Sequence, residues 1–226
     1  MIFDKINLLE KELNSRFEVD LILEREIREF HYETSKEECG FNLKKLFHSV
    51  YSGFSLKWKY DEQVLGEINV PRIIYSFAST AQERLIHVFA EFGEEFKTFA
   101  RQFYPLDIYR ESLDAVTLTV VKIIDEEHLE LWIWNNSGHK YKLKFSSIEE
   151  YLEAGVKCKF IVCWQYFYID TDTMDFSDSF IAEWVASGYD GAIHRMEDTL
   201  ETMKEYFPEE DWSYQEGEME RVKLLV

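Results

Sequence analysis

The sequence predicts an α+β fold: a single domain with a central, mostly antiparallel sheet and N- and C-terminal helices packed around it. Three observations lead there. Apolar residues recur at helical spacing near both ends of the chain. Between them lie runs that alternate apolar and polar residues with the period-two pattern of half-buried strands. The links between several of those runs are too short for a parallel crossover, so the strands pair antiparallel. With 46% apolar residues in 226, the chain can fill a sizeable core. It carries no internal repeat and no low-complexity linker, which favours one elaborated domain over residues 1–226 rather than two.

Taken in order, Ile2, Ile6, Leu9 and Leu13 mark a first helix, residues 24–35 a second with Ile27 and Phe30 inward, and residues 41–51 a third that ends at Gly53. In FSLKWKY, Phe54, Leu56 and Trp58 alternate with Ser55, Lys57 and Lys59. Residues 65–70 read as the hairpin mate of that strand, closed by Pro71. Leu85, Val88, Phe89 and Phe92 suit a helix over 80–96, although a strand uses Phe89 and Phe92 nearly as well. Tyr104-Pro105-Leu106-Asp107 reads as a turn into a meander of three strands, 115–124, 128–134 and 139–145. Ser146 or Ser147 then caps a helix with Glu149 and Glu150 in its first turn, where the helix dipole favours them, and Leu152 and Val156 continue it. Phe160, Cys163, Trp164 and Phe167 either extend that helical face or form a buried strand. Two further helices follow, 179–186 and 192–207, the latter with Met196, Leu200, Met203 and Phe207 along one side and Pro208 as its stop.

Charge narrows the function. Lys and Arg total 25 against 44 Asp and Glu, a net charge of −19. Over the roughly 11,000 Å² such a domain exposes, that is about one excess negative charge per 600 Å². Such a field repels a phosphate backbone, which excludes direct nucleic-acid binding, and it attracts a basic protein. The longest apolar runs, such as 160–164 (FIVCW), fall far short of the roughly 18 residues a spanning helix needs. The N-terminal stretch carries Asp4, Glu10 and Glu12 and no signal-peptide pattern, so no membrane association and a cytoplasmic location are expected. Cys39, Cys158 and Cys163 cannot build a disulfide framework and lack metal-ligand spacing; buried thiols are the simpler reading.

No phosphate-binding loop, dinucleotide fingerprint, HExxH or GxSxG is present. The six histidines, His31, His48, His87, His128, His139 and His194, each stand alone, without a His, Cys or Asp partner at ligand spacing. The sequence therefore predicts no catalytic residue, no cofactor and no metal. Asp170, Asp172, Asp175 and Asp178 imitate a calcium loop, but Asp175 occupies the glycine position and Ile181 the position of the bidentate glutamate. Residues 160–194 contain no Lys or Arg while carrying Asp170, Asp172, Asp175, Asp178, Glu183 and Asp190. Those six carboxylates are the candidate protein-binding surface, suited to steering and pairing the arginines of a basic protein. A solvated face accounts for the same run equally well. A second acidic run, Glu209-Glu210-Asp211 with Glu216, Glu218 and Glu220, is interrupted by Trp212 and Tyr214. These aromatics are either interface anchors or pins that hold the C-terminal segment to its own core.

Residues 46–58 (LFHSVYSGFSLKW), followed by Gly66-Glu67-Ile68-Asn69-Val70, resemble the core of the SUKH superfamily, whose founding members include a yeast regulator of cell-wall synthesis. In that pattern an aromatic, a small polar residue and a glycine precede an apolar strand ending in tryptophan, and a Gly-x-Ile strand follows. Residues 103–107 (FYPLD) and 145–152 (FSSIEEYL) are similar to later parts of the same core. The likeness runs from about residue 20 to 170. It departs at 73–100, which is longer, and in a C-terminal helical extension over about 176–226. The resemblance implies function by binding, with no shared catalytic residue: bacterial members serve largely as immunity proteins that neutralise a cognate toxin, often a nuclease, and eukaryotic members as regulatory or scaffold modules. It also casts Gly53, Trp58 and Gly66 as residues of the fold.

Overall fold

The alternation in FSLKWKY becomes the middle strand of an antiparallel sheet. The computed structural model describes residues 2–23, 53–70, 101–110, 116–125, 127–135, 140–173 and 191–224. Helix α1 (Ile2–Leu13) buries Ile2, Ile6, Leu9 and Leu13, as their spacing requires. The chain then forms β1 (Glu18–Leu23), which pairs with β2 (Phe54–Tyr60), which pairs in turn with β3 (Gln63–Val70). Because β2 is central, its row of Phe54, Leu56 and Trp58 is fully buried. Its hairpin to β3 turns on Asp61 and Glu62, whose positive φ angles of 49° and 66° give the two-residue link a twist that matches the flanking strands.

Trp58 faces Gly66 across that pair. A Cβ at Gly66 would lie 2.0 Å from the indole nitrogen, so the large ring and the missing side chain are one fitted unit. The indole N–H donates to the Lys159 carbonyl at 2.8 Å, which satisfies it inside the core.

A second antiparallel sheet runs β4 (Tyr104–Arg110), β5 (Val116–Ile123), β6 (Leu129–Asn135) and β7 (Lys140–Lys142). The expected turn at Tyr104-Pro105-Leu106-Asp107 is instead the start of β4. Proline is tolerated there because β4 is an edge of its sheet and the register shifts between Pro105 and Asp107, a bulge at Leu106. The strands are antiparallel as expected, but they divide between two sheets. At their junction the Asp107 carboxylate accepts the Asn69 backbone N–H at 2.9 Å, a side chain standing in for a ladder bond.

Helix α2 (Ile148–Lys157) follows, and Ser147 is its cap: the hydroxyl accepts the Glu150 N–H, while the Glu150 carboxylate accepts the N–H of Ser146. Residues 158–170 are then neither helix extension nor strand. Lys159, Phe160 and Cys163 take positive φ angles of 55°, 50° and 65°, and a 3-10 turn occupies Trp164–Tyr168. This strap borders both sheets. Its first half pairs with β3, with Phe160 O accepting from Glu67 N and Val162 N donating to Leu65 O, both at 3.0 Å. Its last residues pair with the β7 region, with Lys144 N donating to Tyr168 O and Asp170 N to Lys142 O.

Helix α3 (Gly191–Tyr206) packs Ala192, Met196, Leu200 and Met203 inward, with Phe207 just beyond its end. Helix α4 (Ser213–Lys223) buries only Gln215 and Val222. Buried side chains from every one of these elements except β1 join one cluster, which leaves out Phe103, Leu118, Val120 and Trp134. No helix among the described residues is long and apolar enough to cross a membrane. The helices expected over 24–35, 41–51, 80–96 and 179–186, the stop at Pro71 and Cys39 lie outside the described residues.

Candidate protein-binding surface

Of the six carboxylates expected to form the binding surface, Asp170 and Asp172 fall within the described residues, and Asp175, Asp178, Glu183 and Asp190 lie outside them. Asp170 is half-buried; its backbone completes the β7 edge and its carboxylate accepts the Asp172 N–H at 3.3 Å. That work is local architecture. Asp172 is exposed at the 3-10 turn Thr171–Thr173 and is free to meet solvent or a partner.

The second acidic run is placed throughout. Trp212 is buried, and its indole N–H donates to the Phe207 carbonyl at 3.0 Å, so it pins the extension to the core. Tyr214 is 45% exposed and stacks on Tyr168 at 5.3 Å. Glu209 pairs with Arg16 at 3.0 Å, Glu210 with Lys159 at 2.9 Å, Glu218 with Lys144 at 2.7 Å, and Glu216 with Lys204. Asp211 accepts the Ser213 N–H at the start of α4, and these bonds hold its carboxyl below the usual aspartate range. Lys159 is the hub of this network. Its ammonium reaches both Glu12 and Glu210, and although burial opposes its charge, those two carboxylates win and raise its pKa.

The interior holds a polar cluster sealed from solvent. The Tyr151 hydroxyl donates to the Asp107 carboxylate at 3.0 Å, lies 2.9 Å from the Thr119 hydroxyl and accepts from Gln165 at 3.2 Å. Burial, then the neighbouring Asp107 charge, lifts the phenol well above its ordinary pKa, so it stays protonated and keeps donating. Tyr151 and Asp107 are at most 1% exposed, too enclosed to meet a substrate; the cluster joins α2 to the sheet junction. Cys158 is likewise enclosed, with burial pushing its thiol up to about 11, beside the Tyr168 hydroxyl and the Gln215 amide. Among the described residues no three His, Cys, Asp or Glu side chains gather as a metal site. His128 does have an acidic neighbour, Asp125 at 2.8 Å, on the open surface.

Two concavities border α3. One, of about 450 Å³, lies between β3, the strap and α3. Its charges are internally engaged: Lys57 pairs with Glu67 at 3.4 Å, and Arg195 sits 3.6 Å from the Cys163 sulfur and over the Tyr166 ring. The other is a groove of about 580 Å³ between α3 and α4, with Leu200 and Met219 for its floor and Glu197, Glu201, Lys204 and Glu205 along its rim. Glu197 pairs with Lys223 and Lys204 with Glu216, whereas Glu201 and Glu205 make no ion pair among the described residues. No motif marks this groove in the sequence. The four-residue repeat of Glu197, Glu201 and Glu205 was the available signal, and it reads equally as the solvated side of an amphipathic helix.

No family model, curated protein or solved structure matches this chain.

Proposed function

We propose that this chain is a non-catalytic binding protein that neutralises a basic partner, a bacterial toxin of the nuclease kind, in the manner of SUKH immunity proteins. The observation that carries the reading is an acidic surface left over after internal pairing: a net charge of −19, with Glu201 and Glu205, which make no ion pair among the described residues, beside an apolar groove. A toxin that handles nucleic acid offers a basic cleft, and carboxylates presented to it take the place of phosphates. Asp172, with Asp175, Asp178, Glu183 and Asp190, adds a second acidic stretch to the same purpose.

The test is co-purification of the chain with the products of its neighbouring genes at low and high salt, followed by an activity assay of whatever is retained. Retention of a basic nuclease-like domain that weakens with salt, together with loss of its activity, supports the proposal. If neighbouring toxins, tested directly and folded, neither bind nor lose activity, the regulatory or scaffold reading takes its place.

A further inference from the structure

We infer that the groove between α3 and α4 seats a basic amphipathic helix of the partner, with its apolar side chains on Leu200 and Met219 and its Lys or Arg residues on Glu201 and Glu205. The inference rests on the basic-partner reading above and gives that reading a location and a mode of recognition.

The geometry favours a helix. Glu197, Glu201 and Glu205 follow one another at four-residue steps along α3, about 6 Å apart, the rise at which basic residues recur on one face of an incoming helix. The groove between the helices is floored by Leu200, itself buried, and by the half-buried Met219, whose unbranched thioether adapts to different apolar knobs. An extended peptide would instead need an open strand edge, and the residues that line this groove all belong to α3 and α4. Charge complementarity then selects the occupant. Lys204 is engaged by Glu216 and Glu197 by Lys223, so among the described residues the rim presents Glu201 and Glu205 as carboxylates without a cation. An acidic or phosphorylated segment is repelled there, and a neutral one leaves two carboxylates desolvated without partners.

The probe is an 18-residue amidated peptide of Lys and Leu at amphipathic-helix spacing, with a Glu-for-Lys counterpart as control, titrated into the full chain while the Leu and Met methyl signals are followed by NMR. The expected result is saturable binding of the basic peptide only, with the Leu200 and Met219 methyls moving first. Affinity should fall roughly tenfold in Glu201→Lys/Glu205→Lys and less than about twofold in Glu18→Lys/Asp20→Lys, which changes net charge equally on the exposed face of β1. Circular dichroism and a thermal melt establish that both variants fold. Equal loss in the two variants, or Leu200 and Met219 methyls that stay still at saturation, would assign the binding to general acidity and overturn the inference. Failure of the groove is also separable from failure of the basic-partner reading. A toxin captured equally well by wild type and Glu201→Lys/Glu205→Lys removes only the groove, whereas absence of any basic partner removes both.

Discussion

Two acidic stretches lie next to each other in the C-terminal part of the chain and are used in opposite ways. Along 209–220, Glu209, Glu210, Glu216 and Glu218 each meet a cation, drawn from the segment after α1, the strap, α3 and the segment after β7. Along the outer side of α3, Glu201 and Glu205 meet none among the described residues. The first stretch fastens an extension whose last helix buries only Gln215 and Val222, too little apolar surface to hold itself in place. The second leaves its charge available. Counting carboxylates along a sequence therefore measures two quantities at once, and only the placement of the cations separates them.

The first stretch depends on the packing around Lys159, whose carbonyl receives the Trp58 indole while its ammonium holds Glu12 and Glu210. The largest expected effect follows from removing that support. Trp58→Ala should cost about 3–5 kcal/mol in urea unfolding, since the ring is wholly enclosed. Gly66→Ala forces a methyl against the same ring and should cost about 1–3 kcal/mol. A double-mutant cycle between the two sites should be clearly non-additive, and simple additivity would show that ring and glycine are not one unit.

Next in size is the response to alkali. The Cys158 thiol has a folded-state pKa of about 11 against an ordinary 9.0, so the unfolded chain releases its proton first. Its contribution is fully present below pH 9 and is lost as pH rises toward 11, about 2–3 kcal/mol in total. The raised phenols of Tyr151 and Tyr168 and the raised Lys159 ammonium act in the same direction above roughly pH 10. Urea midpoints measured from pH 7 to 11 should fall from about pH 9, and Cys158→Ala should flatten the early part of that fall. An unchanged slope in the variant would place the titration elsewhere.

The two smallest effects test the comparison itself. Glu210→Lys removes one of the two partners of the buried Lys159 and should lower stability by about 1 kcal/mol. Glu201→Lys, which breaks no ion pair among the described residues, should stay within about 0.5 kcal/mol of wild type while weakening capture of the basic partner. Equal destabilisation by the two reversals would erase the distinction between a fastened and an available carboxylate.

The sequence made some of this legible and hid the rest for identifiable reasons. The β2–β3 hairpin was readable because Phe54, Leu56 and Trp58 all face one core. The Ser147 cap and the Met196 to Phe207 stripe were readable because each is a local rule with a fixed spacing. Strand β1 was missed: Val19, Leu21 and Leu23 are only half-buried, and Ile22, 63% exposed, stands on the opposite face with Glu18 and Asp20, so the alternation is blunt. Pro105 disguised β4 as a turn because the bulge that accommodates it has no sequence mark. Residues 160–167 carry enough apolar side chains for a helix or a strand, and only the tertiary pairing with β3 imposes the left-handed residues that make them neither. Helix α4, with a glycine at 217 and two buried positions, has almost no periodicity to read. For the site, sequence acidity names a kind of surface without locating it, because the pairing of Glu209 through Glu218 depends on cations as distant as Arg16 and Lys144.

The strap that borders both sheets has a consequence for synthesis. A nascent chain that has emerged only as far as β7 already contains all seven described strands, but the β3 edge at Leu65 and Glu67 and the edge of the β7 region are still unpaired, because Phe160, Val162, Tyr168 and Asp170 have not yet left the ribosome. During that interval the two open borders are vulnerable to pairing with a neighbouring chain, and truncation before residue 160 makes the interval permanent. The last strands to be translated are therefore not the last pieces of the sheets.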